Sequence, residues 1–161
     1  MLLAISSLLL ENGRLACTLF TCPVFGEYYI DSFRKGRKGD IRALIEELKE
    51  NSRLCFHVVN DGIDHKLVIS KFATTEYDRL NKAGFNFNTL KSTSIPAFPG
   101  IEKTDLSSWS GKTTSELVGN IYDKIKDLRS LNDFKPEGQF NRRRLINIHK
   151  RILLLLRHAS G

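Results

Sequence analysis

The chain has 161 residues, of which 41% are hydrophobic and 27% charged, with 25 Lys and Arg against 18 Asp and Glu for a net charge of +7. That length suits one domain, able to bury roughly 70% of the surface its unfolded form exposes without disulfides or a structural metal. The composition excludes disorder and low complexity, and nothing repeats.

The charge is local. Arg142, Arg143, Arg144, Lys150, Arg151 and Arg157 supply +6 between residues 142 and 161, where there is no acid, so the remaining chain is nearly neutral. One basic helix sets the pI of 9.5, which is weaker evidence for nucleic acid than a basic domain would be. Cys17, Cys22 and Cys55 are odd in number and lack ligand-type spacing. They read as buried thiols in a reducing compartment. The apolar start, Met1 to Leu10, has no basic flank and runs into a turn at Glu11-Asn-Gly-Arg14, so it reads as a strand and not a signal peptide. The Leu153 to Leu156 run is too short and too closely flanked by arginine to span a bilayer. These features predict a cytoplasmic protein with no membrane contact.

In chain order, Leu2 to Leu10 and Leu15 to Cys22 form an expected antiparallel pair joined by Asn-Gly, the strongest short hairpin signal. An extended or loop segment, Phe25 to Phe33, leads to Ser32-Phe-Arg-Lys-Gly-Arg-Lys-Gly-Asp40, a basic, glycine-bearing stretch before an amphipathic helix at Ile41 to Glu50. Two readings stand here. The loop is an anion cradle at unpaired helix amides, with phosphate as ligand, or a solvated basic turn capped by Asp40.

Arg53 to Asn60 is rich in β-branched and aromatic residues and reads as a strand, turned by Asp61-Gly62 towards a further strand at His65 to Phe72. Residues 74 to 83 suit a short helix capped by Thr74 or Thr75. Residues 84 to 112, with Pro96, Pro99, Gly100 and many hydroxyls, suit a long surface excursion. Residues 113 to 131 fit two periods: a helix opened by the capping box Thr113-x-x-Glu116, or a strand read in alternate steps from Leu117. Asn141 to His158 is an amphipathic helix, with Leu145, Ile148, Ile152, Leu155 and Leu156 on one side and Arg143, Arg144, Lys150, Arg151 and Arg157 on the other.

Common catalytic signatures are absent: there is no Gly-x-Ser-x-Gly, no His-Glu-x-x-His and no Cys-His pairing with a recognisable local signature. Asp61, Asp64 and Lys66 are explained by a polar turn as well as by a metal nuclease. Glu47-x-Lys49 lies on what reads as the exposed face of a helix. Arg144-x-x-x-x-His149 has the spacing of a family of all-helical ribonucleases, but His149 falls on the apolar face, about 140° from Arg144, and the first 70 residues read mostly as strand.

The order of segments is more informative than any one of them. Gly13-Arg-Leu-Ala-Cys-Thr-Leu-Phe20, then Phe33 to Asp40 and a helix, then Cys55-Phe-His-Val-Val-Asn60 resembles the flavin-reductase-like FMN-binding split barrels. Pro136-x-x-x-Phe140-Asn141-Arg142 before a long helix resembles the Pro-Phe-Asn-Arg plus helix that closes one branch of these proteins, in which the preceding segment is strand. The resemblance covers about residues 12 to 72 and 115 to 158. It implies an α+β protein, a mainly antiparallel split β-barrel over about residues 1–130 within a single domain, with strand at Leu117 to Leu128 and a closing helix at 141–158. It also implies a homodimer that binds FMN and carries out flavin reduction or redox transfer. Carried onto this chain, Arg34, Lys35, Arg37 and Lys38 surround the FMN phosphate, Ala16, Cys17 and Thr18 lie by the ring, and Asn60 ends the neighbouring strand. Arg37 and Gly39 stand where that family has hydroxyl residues, and no catalytic side chain is implied. The other expectation is a non-enzymatic nucleic-acid-binding or regulatory module that uses the basic loop and the Arg-rich last helix. A third is a structural dimer in which that helix only packs.

Overall fold

A computed structural model describes residues 23–99, 104–135 and 141–161, with side chains of the first helix described from Arg37 onward. Among these residues every regular element is helical: α1 (Pro23–Asn60), α2 (His65–Ile69), α3 (Thr75–Lys82), α4 (Thr114–Phe134) and α5 (Asn141–Ser160), with 3-10 turns at Phe87–Thr89 and Asp105–Trp109. The expected α+β split barrel is therefore overturned. Two compact units divide the chain, Met1–Gly39 and Asp40–Gly161; the first is described only for the opening turns of α1.

The strand at 53–60 fails because its period is helical once the polar residues are counted. Leu44, Leu48, Asn51, Ser52, Cys55 and Val58 are all buried. Their spacings of three and four make one stripe along α1. Burial of that stripe outweighs the β-propensity of Val58 and Val59, which spans only about 1 kcal/mol. The basic stretch is likewise helix interior, not loop, so the helix does not begin at Asp40. The amides there are engaged in the helix ladder, and the anion cradle loses its unpaired donors. Asp40 caps nothing; it accepts from Arg79 at 2.7 Å.

Short elements are fixed by side chains borrowed from long ones. Asp64 opens α2 by accepting from the Lys66 amide, replacing the expected strand at 65–72. The expected helix over 74–83 is present as α3. Thr74 occupies its cap position, yet its hydroxyl donates to Asp78 and accepts from no helix amide. The capping comes from α1: Glu47, expected on an exposed face, is buried and accepts from the amides of Glu76 (2.8 Å) and Tyr77 (3.2 Å) and from the Tyr122 hydroxyl (2.8 Å). A carboxylate at a helix N-terminus satisfies orphan amides and complements the dipole. Asn51 clips the entry to α3, donating to the Ala73 carbonyl and accepting from its amide. Tyr77 stacks between Tyr122, at a centroid distance of 4.1 Å, and Phe87, at 5.4 Å.

The described residues between 84 and 112 form no long element, as expected, but they are packed. Phe87, Ile95, Leu106 and Trp109 are buried, and Ile95 is pinned through its amide to Lys112 and through its carbonyl to Gly111. Gly111, at a φ of 82°, takes the left-handed conformation that this pairing requires. The following residues resolve the two-period segment in favour of helix. Thr113 and Glu116 complete the reciprocal capping box, and Leu117, Val118, Ile121, Tyr122, Ile125 and Leu128 are buried along α4. The strand over 117–128 that the resemblance implied is overturned. The last helix is as expected, extending to Ser160, with Leu145, Ile148, Ile152 and Leu155 buried against the core.

Candidate nucleic-acid interface

The apolar stripe of α5 faces α4 and the core, which turns its cations outward. Arg142, Arg143, Arg144, Lys150 and Arg157 are exposed. Arg143, Lys150 and Arg157 are seven residues apart, so they form a single row with steps of about 10 Å. Arg144 and Arg151 form a second row, one residue round, beside a groove between α5 and the end of α4. Its lining includes Arg144, Asn147 and Arg151 from α5 and Lys124, Leu131 and Phe134 from α4, with a volume of about 600 Å³.

The electrostatics of the two rows differ from the rest of the surface. Carboxylates are interspersed along α1, α3 and α4 and pair with Lys49, Arg53, Arg79, Lys124 and Lys126. On α5 there is no acid. Among the described residues Arg142, Arg143, Arg144 and Lys150 have no ion-pair partner; Arg151 lies 3.8 Å from Asp105, and Arg157 sits 4.5 Å from the centre of the Phe98 ring. Three arginines in the first turn of a helix oppose its positive dipole end, an arrangement that a bound anion relieves.

The residues expected around FMN do not form a described site. Ala16, Cys17 and Thr18, with the opening hairpin and Cys22, lie outside the described residues. Arg34 and Lys35 belong to the α1 backbone. Arg37 and Lys38 are exposed on the same helix, and Asn60, expected to end a strand, is instead the exposed last residue of α1. The flavin expectation thus loses the barrel on which it rested. Cys55 is a buried thiol as expected, pushed up to about 12 by burial. Among the described residues no cluster of His, Cys, Asp and Glu suits a metal ion, and Asp61 and Asp64 serve the turn, pairing with His57 and capping α2.

The helical fold removes one objection to the ribonuclease spacing of Arg144 and His149, the strand content. The other is upheld. His149 is turned towards α1, with Nδ1 3.2 Å from the Ser52 hydroxyl, whereas Arg144 lines the groove towards α4. The groove itself was missed by sequence reasoning. Its signal was present: Leu131 and Phe134 continue the i, i+3 series of Leu128 along α4, beyond the part of that stripe that is buried.

No helix among the described residues is long and apolar enough to cross a membrane. The chain matches no protein-family model, no curated protein and no solved structure.

Proposed function

We propose that this protein binds nucleic acid through the exposed, acid-free face of α5. The observation that carries this reading is the row Arg143, Lys150 and Arg157 beside Arg142 and Arg144, presented by a helix that has no carboxylate to neutralise it. A phosphate backbone is the polyanion such a row suits, since each neutralised phosphate releases condensed counterions and contributes binding without sequence readout. The reading does not use the stretch at 32–40 as a loop, because those residues are helix interior.

The test is the salt dependence of binding to labelled RNA and DNA. Affinity should fall steeply with salt. Replacing Arg143, Lys150 and Arg157 together by glutamine should flatten the plot of log K against log salt by about 0.7 to 0.9 per lost phosphate contact. All three side chains are exposed, so the far-UV circular dichroism should be unchanged, and loss of the Arg157 contact with the Phe98 ring should lower the melting temperature by no more than about 4 °C. Binding that is absent, or whose salt slope ignores the triple substitution, would sink the proposal.

A further inference from the structure

We infer that the nucleic acid bound is single-stranded, with an unpaired base stacking on Phe134 in the groove between α4 and α5; this rests on the nucleic-acid reading of α5.

Phe134 ends α4 with 84% of its surface exposed, the most exposed large hydrophobic side chain described. Tyr77, Tyr122, Phe87 and Phe85 are all engaged with other rings, whereas Phe134 is in none of the described ring contacts. An aromatic ring this open contributes little to folding, and with the partly exposed Leu131 it gives the groove an apolar edge beside its cations. It lines the groove together with Arg144, Arg151 and Lys124, while Asn147 adds amide donors and an acceptor. Lys124 is 3.8 Å from Asp127 and Arg151 is 3.8 Å from Asp105, so the net positive charge of the groove is that of Arg144, which has no ion-pair partner among the described residues.

This is the combination that holds single strands: a cationic track for the backbone and an aromatic face beside it. A duplex keeps its bases stacked inside, so a side-chain ring gains nothing from it without paying to unstack a base. The groove volume of about 600 Å³ leaves room for a base and its sugar beside the ring. Charge complementarity fixes the sign of the occupant, and the ring beside the arginines selects one with exposed planar faces. Arg144 serves as the phosphate contact on the groove, continuing onto the row of Arg143 and Lys150 outside.

The test compares fluorescein-labelled oligouridylate and oligothymidylate of about 12 nucleotides with a mixed-sequence duplex of similar length, a size spanned by single-strand binding modules. The full chain should bind the single strands more tightly. F134A should weaken single-strand binding about tenfold, leave duplex binding unchanged and leave the salt slope in place, since stacking carries no counterion term. F134W should retain affinity, with its indole fluorescence quenched when oligonucleotide is added. Equal affinity for single strands and duplex with no effect of F134A overturns the single-strand inference and leaves the α5 proposal standing. Absence of binding to every oligonucleotide overturns both. Because Phe134 is exposed, loss of fold does not confuse the result, and a melting curve for each variant verifies it.

Discussion

At the scale of single residues, Glu47 joins three pieces of the structure. Its carboxylate receives two amides of α3 and the hydroxyl of Tyr122 on α4. Burial first, and then the nearby Glu47 charge, push the Tyr122 phenol well above its ordinary range, so it remains a donor at all working pH. Glu47→Ala removes the acceptor and strands the Tyr77 amide and the Tyr122 hydroxyl in the interior without a partner, while the part-buried Glu76 amide loses its acceptor as well. We expect a loss of about 3 kcal/mol, read as a lower urea midpoint with an unchanged slope. Tyr122→Phe removes one donor and keeps the ring stacked on Tyr77, so the loss should be about 1 kcal/mol. The two effects should be less than additive, because the first substitution already breaks the contact that the second removes.

The helices show why some elements were legible in the sequence and others were not. In α5, polar and apolar residues separate cleanly, and the helix was read nearly to its ends. The capping box at Thr113 was equally local, and it is what the structure follows; the strand over 117–128 came from a distant resemblance that set it aside. Along α1 the decisive stripe contains Glu47, Asn51 and Ser52. Polar residues on a buried face erase the period that apolar residues alone would show, and the β-branched run at its end then reads as strand. The glycines misled in the same way, since Gly36 and Gly39 lie within the helix and not in a loop. Of the candidate site, the cations of α5 were legible from composition, whereas the groove needed the position of Phe134 relative to a second helix. Gly119, in the interior of α4, offers a direct measurement at this scale. A Cβ added there meets nothing within 4 Å, so Gly119→Ala should stabilise by about 0.5 to 1 kcal/mol and raise the melting temperature by about 1–3 °C. Gly62 should do the opposite. It holds a φ of 67° just after α1, where the Ile63 amide returns to the His57 carbonyl, and Gly62→Ala should cost about 1 kcal/mol.

On the scale of the whole Asp40–Gly161 unit, α5 is tied to its neighbours by two imidazoles. His149, half-buried, meets Ser52 on α1, and His158, buried, has Nε2 3.2 Å from the Thr114 hydroxyl at the start of α4. Burial lowers the pKa of both below the ordinary 6.5. For His149 the hydrogen bond at Ser52 opposes this in part; for His158 the one at Thr93 opposes it, and Lys91 nearby adds to the lowering. A lowered folded-state pKa means that the unfolded chain takes up protons first as the pH falls. The stability from these two contacts is therefore whole above pH 6.5 and is lost as the pH drops from there through the folded-state values. Each histidine contributes a slope of at most about 1.4 kcal/mol per pH unit. Urea midpoints measured from pH 7.5 down to 5 should fall in that window, above the range of Asp78, whose carboxyl the hydrogen bond from Lys126 holds below the usual carboxylate value. His158→Gln keeps a side chain able to hydrogen-bond Thr114 without taking a proton, and should remove part of the slope while leaving the pH 7.5 midpoint close to the parent. A variant as steep as the parent would show that the acid sensitivity lies elsewhere. Under the proposal for α5, arginines stay charged through this acidification, so single-strand affinity at a pH where the protein is still folded should not follow the stability curve, and a separation of the two profiles would set the proposed binding face apart from the histidines that hold the helix in place.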